Sequence, residues 1–215
     1  MPNSITFVRM SILHYFSKDE DKRALFVFNL IAPAYGILDK GTYKDFRDMA
    51  ALFNEHIPLK GKAVLDLGSG TGAWISALNQ YKLAKAVGAD FSQKMIRQAE
   101  KKHPEIKFVH QHGENLNAFK DNSFDIVTAT FVLHGMKKDK RAKVINEMKR
   151  IARQYVVIHD FYNNTHPVVQ LLEFLERSDY RYFQKHFRNE IKNFFTETEI
   201  VPAENGNALY IGKMV

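Results

Sequence analysis

The run Val64-Leu65-Asp66-Leu67-Gly68-Ser69-Gly70-Thr71-Gly72 sets three glycines at alternate positions between an apolar stretch and a helical one. Glycine lets the backbone turn sharply and approach a ligand closely, and the start of the helix offers unpaired N–H donors. The spacing is GxGxG, one step shorter than the GxGxxG of dinucleotide sites, and Asp66 stands just ahead of the first glycine. A second acid, Asp90, lies in the next apolar run, Val87-Gly88-Ala89-Asp90-Phe91, about twenty residues downstream, where an acidic side chain can take ribose hydroxyls. Ser92 is better placed than Asp90 to cap the helix that follows, which leaves Asp90 for a ligand. Two histidines, His134 and His159, fall at the ends of later apolar runs, and neutral imidazole is a common general base near pH 7.

The elements that must position these residues are legible as alternating patterns. Ala63 to Leu67, Ala86 to Phe91, Ile106 to His110, Phe124 to Thr130 and Tyr155 to Asp160 read as strands buried on both faces. Helical segments at Ala73 to Tyr81, Gln93 to Lys102 and Lys140 to Arg153 lie between them, so the succession predicts a doubly wound α/β sheet. A helical tract at His166 to Arg188 precedes two runs, Phe194 to Pro202 and Ala208 to Val215, joined by the turn signal Glu204-Asn205-Gly206-Asn207 as an antiparallel hairpin. Before Pro58 the apolar spacing is helical, which predicts an N-terminal helical cap over residues 1–58 belonging to the same domain as 59–215.

Composition bounds the chemistry. The 215 residues suit one domain, 45% hydrophobic content supports a sizeable core, and the absence of cysteine removes thiolate nucleophiles, disulfides and Cys-ligated metals. No carboxylate cluster suggests a metal. The first sixteen residues do not read as a signal peptide, and the longest apolar stretch, Ala24 to Leu38, is broken by Asn29, Pro33 and Gly36, so the expectation is a cytoplasmic protein without a membrane span. The net charge of +7 could attract an acidic partner such as RNA. Eight bases and two acids lie between Lys137 and Arg153, however, so the excess reads as the solvated outer face of one helix, with Ala142, Ile145, Met148 and Ala152 inward, and nucleic acid is not the expected partner.

VLDLGSGTG, VGADFSQKMI, HGENL, FDIVTATFVLHGM and VVIHDF, in that order, resemble the successive motifs of class I S-adenosylmethionine-dependent methyltransferases, in particular the methyltransferase type 11 group. Asn29 to Tyr35 resembles a segment of ubiquinone and menaquinone C-methyltransferases, with Gly36 where that pattern has Asp. The resemblance implies a Rossmann-like seven-stranded sheet, mostly parallel, with S-adenosylmethionine as cofactor and S-adenosylhomocysteine as product. Asp66, Gly68, Ser69, Gly70 and Gly72 would hold its methionine end and Asp90 its ribose. Phe91, Met95 and the turn Gly113-Glu114-Asn115 would meet the adenine, Thr130 and Phe131 would border the sulfonium, and Tyr35 could close over the methyl group.

Methyl transfer is an in-line displacement that chiefly demands alignment, with a base only where the acceptor must lose a proton. His134 is the first candidate base and His159 the second. Thr128-Ala129-Thr130-Phe131 lacks the Asn/Asp-Pro-Pro-aromatic tetrapeptide used on exocyclic base amines, so a small or amphiphilic acceptor is expected. A non-catalytic binder of the cofactor, serving a regulatory or assembly role, and an RNA methyltransferase are the alternatives.

Overall fold

Alternate residues of each strand must face opposite sides of a sheet, and the sequence fills both sides. The computed structural model describes residues 45–163, 178–203 and 206–215. Helix α1 covers residues 45–56. There follow β1 (Ala63–Leu67), α2 (Ala73–Asn79), β2 (Lys85–Asp90), α3 (Gln93–Lys102), β3 (Lys107–His110) and β4 (Phe124–Thr130). A 3-10 turn at Leu133–Gly135 leads to α4 (Lys138–Ile151), which runs directly into β5 (Ala152–Phe161). Helix α5 (Tyr180–Glu190), a 3-10 turn at Ile191–Asn193, β6 (Glu197–Pro202) and β7 (Asn207–Lys213) complete the order.

The seven strands lie in the order β3-β2-β1-β4-β5-β7-β6. The first five are mutually parallel, and β7 inserts antiparallel between β5 and β6. The chain winds outward from β1 to β3 and then returns to place β4 on the other side of β1, which opens a crevice at the carboxyl ends of β1 and β4. One core layer joins Leu65, Leu67, Val127, Val156 and Ile158 to α4 and α5; the other joins Val64, Ile126, Val157, Leu209 and Ile211 to α1, α2 and α3. In α1 it is Met49, Ala50 and Phe53 that enter this second layer.

Two expectations need correction. β3 is not buried on both faces, because it is the edge of the sheet: Phe108 is buried while Lys107 and His110 are exposed. The basic segment is not wholly a solvated face either. Arg141 is completely buried, and with Val144, Ile145, Met148 and Ile151 it forms the inward stripe of α4, while Ala142 is only half-buried. Farther along α4, Arg150 pairs with Glu147 and Asp121, and beyond its end Arg153 pairs with Asp125. Of the tract expected at His166 to Arg188, α5 is seen, and residues 164–177 lie outside the described ones, as do residues 1–44 and 204–205.

Arg141 reaches Glu190 with two bonds, Nε at 2.9 Å and Nη2 at 3.1 Å, and also donates to the carbonyls of Leu133 and Met136 and to Asp179. A buried guanidinium is tolerable only when its donors are matched, and removing one partner strands the other charge. Replacing Arg141 by Met should therefore cost about 3–5 kcal/mol of unfolding free energy in urea titrations, and Arg141→Met with Glu190→Met should recover most of it. A single variant as stable as the double would dispose of this clamp.

Candidate active site at the strand ends

β1 leaves the sheet at Gly68, and the turn that follows is clipped onto the end of β2: the amides of Gly68 and Ser69 donate to the Ala89 carbonyl at 2.7 and 3.0 Å. Gly68 sits at φ +69, where a Cβ would also lie 2.4 Å from Val132 Cγ2. At Gly70, φ is +52 with nothing within 4 Å of a Cβ position, so the backbone is positioned to be approached by a ligand. Ser69 accepts from the amide of Gly72, which precedes α2.

Asp90 holds this turn to the next helix. Its Oδ2 accepts from the Gly70 amide at 2.9 Å and its Oδ1 from the Ser92 amide at 2.8 Å, while Ser92 caps α3 by accepting from Met95 N. Each carboxylate oxygen can accept twice, so Asp90 keeps acceptor sites for a diol. Burial raises its pKa against the pull of the Ser92 and Gly70 amides. Phe91 and Met95, directly beyond, are half-buried. The turn His112 to Asn115 is closed by Asn115 N donating to the His112 carbonyl, and a Cβ on Gly113 would be 3.4 Å from Leu67 Cδ2, so this turn stands beside the end of β1 with Glu114 and Asn115 exposed.

Period-two alternation puts Asp66, Asp90, Thr128, Thr130 and His159 on the same face of the sheet as Val64, Ile126 and Val157. Asp66 accepts from Thr128 Oγ1 at 2.9 Å. Burial pushes the Asp66 carboxyl up to about 8; the Thr128 bond opposes this and the neighbouring Asp90 adds to it. Among the described residues the second Asp66 oxygen, Ser69 Oγ, Thr130 Oγ1, Trp74 Nε1 and both nitrogens of His159 are buried without hydrogen-bond partners. Burial, partly offset by Asp160, lowers His159 to about 4, so its imidazole is neutral and weakly basic.

A row of rings crosses the strand ends. Trp74 lies 5.1 Å from His159, His159 4.8 Å from Phe131, Phe131 5.1 Å from Phe161, and Phe161 5.1 Å from Tyr180, with Phe46 of α1 against Trp74, Phe131 and His159. Phe131 has φ +52, an uncommon conformation for a bulky residue, held by its amide donating to the His159 carbonyl at 2.9 Å.

His134 occupies the opposite core layer. Its Nδ1 is 2.7 Å from Asp160 Oδ1, whose other oxygen accepts from the amides of Leu133 and His134 at 3.1 and 3.2 Å. A carboxylate on Nδ1 fixes the proton there and gives Nε2 the lone pair in the neutral ring. The ring is 4.8 Å from Phe161, so it joins the aromatic row from the other side.

The structure thus gathers Asp66 of β1 and Asp90 at the end of β2 around the turn of Gly68, Ser69, Gly70 and Gly72, with Thr130 at the end of β4 and Phe131 just after it, and it separates the two histidines onto different faces. Tyr35 lies outside the described residues. Sequence reasoning missed Thr128, Trp74 and Phe161. Thr128 carried a signal, a hydroxyl inside an otherwise aliphatic strand, but Trp74 and Phe161 looked like ordinary apolar residues.

A glycine-rich turn at the switch point of a doubly wound sheet, with an acid ending the next strand, defines a class of nucleotide-cofactor-binding α/β proteins. Residues 64–154 match the family model described as a methyltransferase domain, so this segment is similar to methyltransferases. The chain is 32% identical over 151 residues to the demethylmenaquinone methyltransferase of Paenarthrobacter aurescens, covering 67% of this chain and 56% of that protein. The Lactiplantibacillus plantarum protein of the same name is 32% identical over 139 residues, so the chain spans little more than half of these relatives, 56% in each case. Among solved structures, the magnesium protoporphyrin IX methyltransferase of Synechocystis PCC 6803 with bound S-adenosylhomocysteine superposes with TM-score 0.62 at 18% identity, covering 81% of this chain and 84% of that one. No helix among the described residues is long and apolar enough to cross a membrane.

The titration of Asp66 makes a prediction about stability. The unfolded carboxyl ionises near 3.8 and the folded one near 8, so its contribution is full below about 4 and is lost as pH rises through 8. His159 runs the other way, its contribution being complete above 6.5 and lost toward 4. Between pH 6.5 and 8 the ligand-free protein should therefore lose about 1–2 kcal/mol, and Asp66→Asn should flatten the curve. An unchanged slope in that variant, read by denaturant unfolding across this range, would show that Asp66 does not hold its proton.

Proposed function

We propose that the chain transfers a methyl group from S-adenosylmethionine to a small or amphiphilic acceptor held at the carboxyl ends of β4 and β5. The observation that carries this reading is the Asp90 carboxylate, which bridges the Gly70 and Ser92 amides and keeps acceptor capacity beside an open Gly70. The residues fit the cofactor: hydroxyls of a ribose suit Asp90, an ammonium suits the buried Asp66 oxygen that lacks a partner, and the backbone at Gly68, Ser69, Gly70 and Gly72 can receive the methionine end. Phe91, Met95 and the Gly113-Glu114-Asn115 turn would flank the adenine, and Thr130 and Phe131 would stand next to the sulfonium. When bound, the cofactor supplies an electrophilic methyl group on a cationic sulfur.

The remaining work falls to this chain's own side chains. The aromatic row from Trp74 to Tyr180 offers an apolar wall and excludes water from the acceptor. His134, with Nδ1 held by Asp160, takes the acceptor proton on Nε2 as the new bond to carbon forms. His159, neutral and weakly basic, is better suited to hydrogen-bonding an acceptor oxygen than to removing a proton. The protein would work in the cytoplasm. The demethylmenaquinone methyltransferases among the relatives support an amphiphilic acceptor. The basic segment lends little to an RNA reading, since its arginines are buried or paired.

Calorimetric titration should show S-adenosylhomocysteine binding, and Asp90→Ala should weaken it at least roughly tenfold, the worth of hydrogen bonds to a charged group. NADH binding in place of S-adenosylhomocysteine would end this assignment. With labelled S-adenosylmethionine and a panel of phenols, quinols and amines, His134→Ala should lower turnover on the order of 10²–10⁴-fold while S-adenosylhomocysteine still binds. Full turnover in His134→Ala would remove its role as base, and binding without transfer to any acceptor would favour a non-catalytic role.

A further inference from the structure

Past the end of β5 the chain enters the wall of a cavity of about 600 Å³, within the size range of small-molecule sites. Tyr162 and Asn163 form one side, and one face of α5 forms the other, with Tyr180, Arg181, Gln184, Lys185 and Arg188 at helical spacing. Three of these residues are cationic, and among the described residues no acidic side chain lines the space. Asp179, the nearest acid in sequence, is engaged by Arg141.

The cations differ in state. Arg188 is fixed: its guanidinium lies 4.1 Å over the Tyr162 ring, and Nη2 donates to the Tyr162 carbonyl at 2.8 Å and to Asn163 Oδ1 at 3.4 Å, with Nε buried and unpartnered among the described residues. Arg181 and Lys185 are exposed and make no ion pair among the described residues. Gln184 braces the wall by donating to the Asn163 carbonyl and to the Tyr180 hydroxyl, each at 2.6 Å. One anchored guanidinium and two cations that make no ion pair among the described residues, around a cavity flanked by two tyrosines, make a receptor for an acidic group on a flat or apolar body.

Its place gives that receptor a purpose. Tyr180 shares the cavity wall with Tyr162 and is also the last ring of the row that runs through Phe161 to Phe131, and it lies 6.4 Å from His134. Both cavity and candidate base are therefore reached from the same strand end, β5. We infer that this cavity binds the acidic end, a phosphate or carboxylate, of the molecule that is methylated. The inference rests on the methyl-transfer reading above.

The test uses the whole chain saturated with S-adenosylhomocysteine, at constant ionic strength, with phenyl phosphate, benzoate and neutral benzyl alcohol as probes in calorimetric or ligand-observed titrations. Phenyl phosphate or benzoate should bind saturably and at least about tenfold more tightly than benzyl alcohol, and the tighter of the two identifies the acidic group. Arg181→Ala with Lys185→Ala, both at exposed positions, should abolish that preference while leaving S-adenosylhomocysteine affinity unchanged. A preference that is absent, or that survives in the double variant, overturns the inference. Failure of S-adenosylhomocysteine to bind overturns the methyl-transfer reading instead, and the two failures are read separately.

Discussion

The carboxylate of Asp160, with no exposure to solvent, accepts from four donors: the Leu133 and His134 amides, the His134 ring and its neighbour's amide at Phe161. A buried charge is tolerable only with such saturation. Its effect is to tie the loop leaving β4 onto the end of β5, and from the other side Arg141 takes the carbonyls of the same loop at Leu133 and Met136. A short segment is thus held by a buried anion at its amides and a buried cation at its carbonyls. Because Arg141 also carries Glu190, the position of α5, and with it the wall of the cationic cavity, depends on the same loop.

The division of labour between the two sheet faces follows from this arrangement and from the period of a strand. On β5, consecutive residues His159 and Asp160 must face opposite layers. Asp160 supports the candidate base in the layer of α4 and α5, whereas His159 stands among Trp74, Phe46 and Phe131 in the layer of α1 and α2. The two residues are consecutive, so one strand end carries an imidazole into one layer and a carboxylate into the other. The glycine turn, on β1, reaches the crevice only because β4 returns to the other side of β1.

How much of this was legible depended on whether the determinant was local. The glycine turn, the Ser92 cap and the strand order of a doubly wound sheet follow from residue types and spacing, and α3 runs over Gln93–Lys102 as read. The edge position of β3 was not legible, since a four-residue strand with Phe108 and Val109 reads the same in the middle of a sheet. Nor was the burial of Arg141. In a segment with so many basic residues the acids that hold it, Glu190 and Asp179, lie 49 and 38 positions away, so charge pattern alone assigned it to solvent. Likewise Asp66 and His159 read as candidates for chemistry, but the direction of their titration depends on burial, which has no local signature.

The clustering of unpartnered polar atoms now has a physical sense. Each buried donor or acceptor without a partner costs about 1–3 kcal/mol, and native proteins keep few of them. Among the described residues, Asp66, Thr130, Trp74 and His159 place much of that cost on one face and at one end of the sheet. The strained backbone of Phe131 sits among them. The rest of the described core is packed with aliphatic and aromatic side chains on both sides of the sheet, so the fold can hold this region in an unfavourable state without coming apart. A ligand bearing hydroxyl, ammonium and carboxylate groups would satisfy the orphaned atoms and recover part of that cost on binding, which makes the same local instability a source of affinity.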